Sequence, residues 1–164
     1  MAAVVLVALG VLLVVLTASG SSNSLSRSTA PAAKSVTFHL VEKTVGSNFI
    51  DNPPQQGFNS PPLIGDSLVF STNLLTKGGA HAGTTEVPCT VTRGGEHPRG
   101  ICSAVAALKG GQLAVMALLP AGNVAHGSVV GGTGVYEGVT GSILSVSRGE
   151  DSPIADDTVH LIWP

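Results

Sequence analysis

Charged residues are scarce in this chain. They make up 11% of its 164 residues, with eight Lys and Arg against ten Asp and Glu. The resulting formal charge of −2 is too small and too mixed in sign to attract a phosphate backbone or an anionic lipid surface. Nucleic acid is therefore not an expected partner, and the length suits one compact domain.

The chain also lacks the motifs of common catalytic classes. Its five histidines are scattered, without the short paired spacings of zinc sites. There is no Gly-x-Ser-x-Gly elbow for a serine hydrolase and no Gly-Lys-Ser or Gly-Lys-Thr sequence for a phosphate loop. We therefore expect no metal and no nucleotide cofactor.

The one long hydrophobic run is confined to residues 1–18. Small residues follow it, and it is shorter than the roughly 20 apolar residues that a membrane-spanning helix needs. A cleaved signal peptide is the favoured interpretation, which predicts a secreted or extracytoplasmic protein. The absence of Lys or Arg before the run leaves two alternatives, an uncleaved N-terminal anchor and a misassigned start codon. Membrane contact is expected only through this segment, if it is uncleaved.

Residues 19–34 are rich in Ser, Thr, Ala and Pro, which predicts a flexible linker before a domain at 35–164. From there on, apolar residues alternate with polar ones, the pattern of strands with one buried face. A proline-containing loop is predicted at 48–64. The predicted strands are 36–43, 66–75, 83–93, 100–108, 112–119, 126–130, 138–148 and 157–163. This all-β pattern favours an up-and-down barrel or a two-sheet sandwich, and an eight-stranded barrel has room for one small ligand.

Glu42 is the most informative residue of the first predicted strand. It falls on the same face as Val36, Phe38 and Leu40. Burial of a carboxylate on an apolar face raises its pKa, which suits a general acid or base. The alternative is that Glu42 ends the strand beside Lys43 and keeps its carboxylate in water.

Cys89 and Cys102 are the only cysteines, and they flank a predicted hairpin turn almost symmetrically. This places them opposite each other on adjacent strands. In an exported protein such a pair is expected to form a disulfide. The alternative is a free thiol at Cys89, which shares its face with Val87 and Val91 and would line a cavity.

The glycine-rich string VGGTGVYEGVTG at residues 130–141 is expected to form a turn between two strands. It resembles the signature of the allene oxide cyclase barrel superfamily, shared more loosely with plant dirigent proteins. In that superfamily the same pattern joins the sixth and seventh strands. Segments 40–43, 65–71 and 110–115 agree with the family in order, so the resemblance covers about residues 35–164.

The resemblance implies an eight-stranded antiparallel up-and-down β-barrel, lipocalin-like in architecture and often trimeric. Its cavity would hold a small hydrophobic ligand, with no cofactor. The plant cyclases close an unsaturated fatty-acid epoxide into a cyclopentenone.

By motif position, the family's cavity glutamate resembles Glu42 and its cavity cysteine resembles Cys89, so these are the expected catalytic residues. Ser60 and Pro61 are similar to a pair beside the cavity mouth, and Thr72 stands where the family has an asparagine. The other residues expected to line the cavity are Phe38, Phe70 and Val91.

Two functional hypotheses follow. The first is an exported barrel that binds a small hydrophobic ligand and isomerises or cyclises it, with Glu42 as base or as stabiliser of a developing cation. The second is a non-catalytic dirigent-type or lipophilic-ligand-binding protein, in which Glu42 is only a polar anchor.

Overall fold

The computed structural model describes residues 33–55, 57, 60–118, 122–149 and 152–164. The predicted signal segment and most of the predicted linker, residues 1–32, lie outside the described residues. The strands are β1 Lys34–Ile50, β2 Ser67–Leu75, β3 His81–Arg93, β4 Arg99–Leu108, β5 Gly111–Leu118, β6 Val124–Gly132, β7 Thr140–Ser147 and β8 Ile154–Trp163, with a short 3-10 helix at Gly134–Tyr136. Among the described residues, no helix is long and apolar enough to cross a membrane.

The eight strands close into one antiparallel barrel in chain order, and β8 pairs back onto β1. This confirms the predicted up-and-down barrel and excludes the two-sheet sandwich. The period-two pattern explains why: along β3, buried Thr85, Val87, Cys89 and Val91 alternate with more exposed residues. The inward side chains face the interior of the barrel, and the outward ones face solvent.

Strand β1 is longer than the sequence predicted. A β-bulge at Val45 interrupts the ladder between Thr44 and Gly46, and pairing with β2 then resumes as far as Ile50. The extra residue breaks the alternation on which the prediction rests, and residues 48–50, predicted as loop, are part of the strand. At its other end β1 begins at Lys34, the last residue of the predicted linker.

One end of the barrel, here called the closed end, is filled with apolar side chains. Its centre is a cluster in which every member is at most 3% exposed: Leu113, Val129, Val139, Val159 and Leu161. The glycine-rich segment connects β6 to β7 at this end, as predicted. Gly134 has a φ of +64° and packs against the backbone of Gly110, an arrangement that favours glycine. The Val135 amide donates a hydrogen bond to the Gly110 carbonyl (3.0 Å).

The opposite end carries the connections after β1, β3, β5 and β7. The β1–β2 connection lies at this end, and the buried Asp66 holds it in place. The Asp66 carboxylate accepts hydrogen bonds from the amides of Asn52 (3.0 Å) and Leu63 (2.7 Å). The backbone carbonyl of Asp66 accepts a hydrogen bond from the Val91 amide (2.8 Å), which ties the connection to β3.

Candidate functional site

The barrel encloses a cavity of about 320 Å³ to which all eight strands contribute. Its wall is mostly apolar, with aromatic rings from Phe38 and Phe70 and small side chains such as Ala104 and Ala125. The cavity reaches solvent at the end opposite the closed end, because the exposed residues Leu118, Gly122 and Asn123 belong to its lining. A small ligand could therefore enter beside the β5–β6 connection.

Glu42 lies in this cavity wall, in the middle of β1 and not at its end. Burial raises the pKa of the Glu42 carboxyl, and the neighbouring Thr72 hydroxyl partly offsets the rise. Thr72 is 1% exposed, and among the described residues its Oγ1 has no hydrogen-bond partner of normal geometry. The hydroxyl therefore stands near the carboxyl without completing a hydrogen bond to it.

Asp157 of β8 adds a second carboxyl group to the same wall. In the β1–β8 register Asp157 stands opposite Leu40, and Glu42 stands opposite Ala155, so the two acids are diagonal neighbours on one face. Asp157 is 3% exposed, and its Oδ1 has no hydrogen-bond partner among the described residues. It is buried more deeply than Glu42.

Burial, and then the negative charge of Glu42, raise the pKa of Asp157 to about 7. The Ser145 hydroxyl on β7 lowers this pKa, and the neighbouring Asp156 raises it slightly. The two carboxyl groups are therefore coupled, and negative charge on Glu42 favours the protonated form of Asp157. Near neutral pH Asp157 is partly protonated.

The described part of the cavity lining contains no cation that could balance this pair. Glu42 and Asp157 are the only titratable side chains among the described residues that line it. The nearby Arg148 pairs instead with Asp156 on the outer face of the barrel, with an N–O distance of 2.8 Å. The acids are thus kept in an apolar environment, which disfavours charge on both at once.

The sequence did not identify Asp157, although the signal was present. Asp157 has the same parity as Val159 and Leu161, both of which are buried inside the barrel. In the prediction Asp157 is the first residue of the eighth strand. The observed strand begins at Ile154, which places Asp157 well inside it.

The other predicted site residues are only partly brought together. Phe38 and Phe70 line the cavity, and Thr72 is buried beside Glu42. Val91 is buried near the disulfide end of β3, outside the cavity lining. Ser60 and Pro61 belong to the β1–β2 connection and are also outside that lining.

Cys89 and Cys102 form a disulfide between β3 and β4, where they are directly opposite each other. This is the first of the two predicted states, and the structure contains no free thiol. Cys102 contributes to the cavity wall, whereas Cys89 does not. A disulfide sulfur carries neither a proton nor a thiolate charge, so we give Cys89 no catalytic role.

Metal-ligand geometry is not found in the described part of the chain. No group of three or more His, Cys, Asp or Glu side chains in it is placed to hold a metal ion. His39, for example, points outward and contacts the Thr158 hydroxyl on the outer face (3.1 Å).

Several solved structures share this barrel. Pyocyanin demethylase has a TM-score of 0.65 at 24% sequence identity, over 77% of this chain and 99% of that one. The pterocarpan synthase dirigent protein GePTS1 has a TM-score of 0.64 at 16% identity, over 82% and 88% of the two chains. The exo-specific intermolecular Diels-Alderase AbnU has a TM-score of 0.60 at 15% identity, over 79% and 99%.

These identities show a common fold. The chain thus has the barrel found in dirigent proteins and in cyclase-type enzymes. No protein-family model matches the sequence, and no curated protein does.

Proposed function

We propose that the barrel binds one small, largely apolar molecule in its cavity and promotes its isomerisation or cyclisation without a cofactor. The observation that carries this proposal is the placement of Glu42 and Asp157 in an otherwise apolar cavity wall. Uncompensated burial of carboxyl groups is unfavourable, and such groups with shifted pKa values are concentrated at functional sites. The shape of the cavity would fold the substrate, and Glu42 would act as base or stabilise a developing positive charge.

The size of the cavity limits the ligand. A volume of about 320 Å³ lies at the small end of ligand-binding pockets. It suits a compact, mostly hydrocarbon molecule with one or two polar groups. The names of the structural neighbours, a demethylase, a pterocarpan synthase and a Diels-Alderase, also describe chemistry on small organic molecules. The resemblance to allene oxide cyclase supports ring closure as one form of the reaction.

A second candidate is non-catalytic binding of the dirigent type. The match to a dirigent protein favours it, because the same cavity can orient a reactive molecule without a chemical step. Glu42→Gln separates the two candidates: under the first, turnover is lost while ligand binding is kept. If no compound turns over and the variant binds like the wild type, the non-catalytic candidate is correct.

Binding itself can be tested with the neutral fluorophore N-phenyl-1-naphthylamine and a pair of matched variants. Ala117→Trp places an indole in the cavity, whereas Ala107→Trp places one on the outer face of β4. We expect the first to abolish the fluorescence gain and the second to preserve it. Equal binding by both variants would refute a cavity site. Native mass spectrometry of protein purified from its own host would then identify the natural ligand.

The proposed place of action is outside the cytosol. The disulfide supports it, since such bonds persist in oxidising compartments, and the apolar run at residues 1–18 supports it as well. N-terminal sequencing of the mature protein is the test, and an intact Met1 in a cytosolic fraction would refute export. Homotrimeric assembly remains a prediction from the family resemblance, to be tested by analytical ultracentrifugation.

A further inference from the structure

Asp157 and Glu42 form a pair that the apolar cavity presents to a single ligand. They are diagonal neighbours on β8 and β1, and both contribute to the cavity wall. The Oδ1 atom of Asp157 has no hydrogen-bond partner among the described residues, although the residue is 97% buried, with 3% of its surface exposed. An unpartnered polar atom at such a position is unfavourable unless a ligand supplies the missing partner.

The groups facing the pair come from every neighbouring strand. From β2 they are Thr72 and Leu74, and from β7 Ser145 and Ser147. None of these side chains titrates in the neutral range. The charged groups that act on the pair from outside the cavity are Lys77, Arg148 and Asp156. Arg148 and Lys77 lower the pKa of Asp156, and Asp156 in turn raises the pKa of Asp157. The proton on the pair is therefore governed by the two acids themselves and by burial.

We infer that Asp157 and Glu42 act together as acid and base on a neutral, lipophilic ketone, shifting a proton from carbon to oxygen to form its enol. This inference rests on the proposed function and assigns its substrate class. The Glu42 carboxylate removes a proton from the carbon next to the carbonyl. The C–H electron pair forms the new carbon–carbon double bond as the π pair of the C=O bond moves onto oxygen. That oxygen takes the proton of Asp157, which leaves Asp157 as a carboxylate and Glu42 protonated.

When the ketone carries a carbon–carbon double bond next to the carbon that loses its proton, the product is a conjugated dienol. Return of the proton from Glu42 to the far carbon of that diene, and of the enol proton to Asp157, moves the double bond and completes an isomerisation without an oxidant or reductant. Ring closure through the enol carbon uses the same first step. A ketone fits better than a charged ligand, because the described lining holds no cation to bind an anion. A cationic ligand would use the charge of Glu42 but leave the Asp157 proton without a role.

Solvent deuterium exchange into 2-tetralone tests this inference, since this bicyclic ketone enolises readily and suits a cavity of about 320 Å³. The rate of deuterium incorporation from D₂O is followed by mass spectrometry. We expect the wild type to accelerate exchange, and Glu42→Gln and Asp157→Asn each to lower the enzymatic rate about 100-fold. Asp156→Asn, which changes the adjacent acid on the outer face, should keep the wild-type rate within about twofold.

Binding is measured in parallel, by displacement of N-phenyl-1-naphthylamine, so that the failures can be told apart. Displacement of the dye without exchange, or exchange that survives Asp157→Asn, would overturn the acid–base pair and leave the binding function intact. Failure of 2-tetralone to displace the bound dye, or tighter binding of 2-aminotetralin than of the ketone, would overturn the substrate class. Failure of the dye itself to bind would overturn the proposed function.

Discussion

The carboxyl groups of Glu42 and Asp157 lie on adjacent strands of the barrel wall, two residues apart in the β1–β8 register. Both are inside an apolar cavity, and the charge on one raises the pKa of the other. The protonation state of the pair should therefore affect both the chemistry of a bound ligand and the stability of the fold, and each effect can be measured.

Stability should decrease as pH rises from about 4 to about 7. The pKa of Asp157 is about 7 in the folded protein, against an ordinary value of 3.8. Between these two values the unfolded chain releases the Asp157 proton while the folded protein keeps it, so rising pH favours the unfolded state. The free energy of unfolding is expected to fall by roughly 2–4 kcal/mol between these pH values. Asp157→Asn should flatten this part of the profile, as measured by urea denaturation. An unchanged slope would show that Asp157 is not the group responsible.

Glu42→Gln should lower the pKa of Asp157. The variant removes the negative charge that opposes ionisation of Asp157, but burial still raises the pKa, so the new value should lie between 3.8 and about 7. Carbon-13 NMR titration of the side-chain carboxyls measures it directly. Glu86→Gln, a control on the outer face of β3, should leave the Asp157 titration unchanged. A pKa that does not move in Glu42→Gln would mean that the acids are not coupled.

The disulfide should contribute measurably to stability. Thiol titration of the denatured, unreduced protein should find no free thiol, because Cys89 and Cys102 are bonded. Their sequence separation of 13 residues corresponds to a loss of about 3 kcal/mol when both are replaced by Ser, in the chain-entropy model. A reducing agent should destabilise the wild type to a similar extent but leave the double variant unaffected. Two titratable thiols in the wild type would contradict the bond.

Asp66→Ala should loosen the β1–β2 connection. The substitution removes the acceptor of the Asn52 and Leu63 amides and is expected to destabilise the barrel by about 1–3 kcal/mol. Hydrogen exchange at those amides should accelerate more than at the closed end, where Val159 is a suitable reference. Exchange that speeds up equally at both places would indicate global unfolding instead of a local effect.

Much of the fold could be predicted from the sequence, because one face of every strand is buried and the other is not. Alternation therefore marks each strand, and the near-symmetric spacing of Cys89 and Cys102 about a predicted hairpin turn places them opposite each other. Alternation fails where the backbone departs from it. The bulge at Val45 concealed the second half of β1 for this reason.

The candidate site was predicted less completely than the fold. Glu42 is identifiable because its parity contradicts its polarity. The same test applies to Asp157, which shares parity with Val159 and Leu161 but stands at the first position of the predicted strand 157–163. The relation between the two acids could not be predicted, since it depends on the register of the first strand against the last. Barrel closure sets that register, and a local pattern contains no information about it.

The bulge at Val45 divides β1 into two parts. The part before it pairs with both β8 and β2, and the part after it pairs with β2. Before it, Thr44 lines the cavity and pairs with Thr72; after it, Ser47 pairs with Phe70, which also lines the cavity. Deletion of Val45 would remove the bulge but keep the β2 partners of residues 46–50, and the ten pairs from Lys34 to Lys43 would still fix Glu42 against β8. Loss or gain of a residue at position 45 can therefore change the bend of β1 near the open end of the barrel, while Glu42 and Asp157 keep their register.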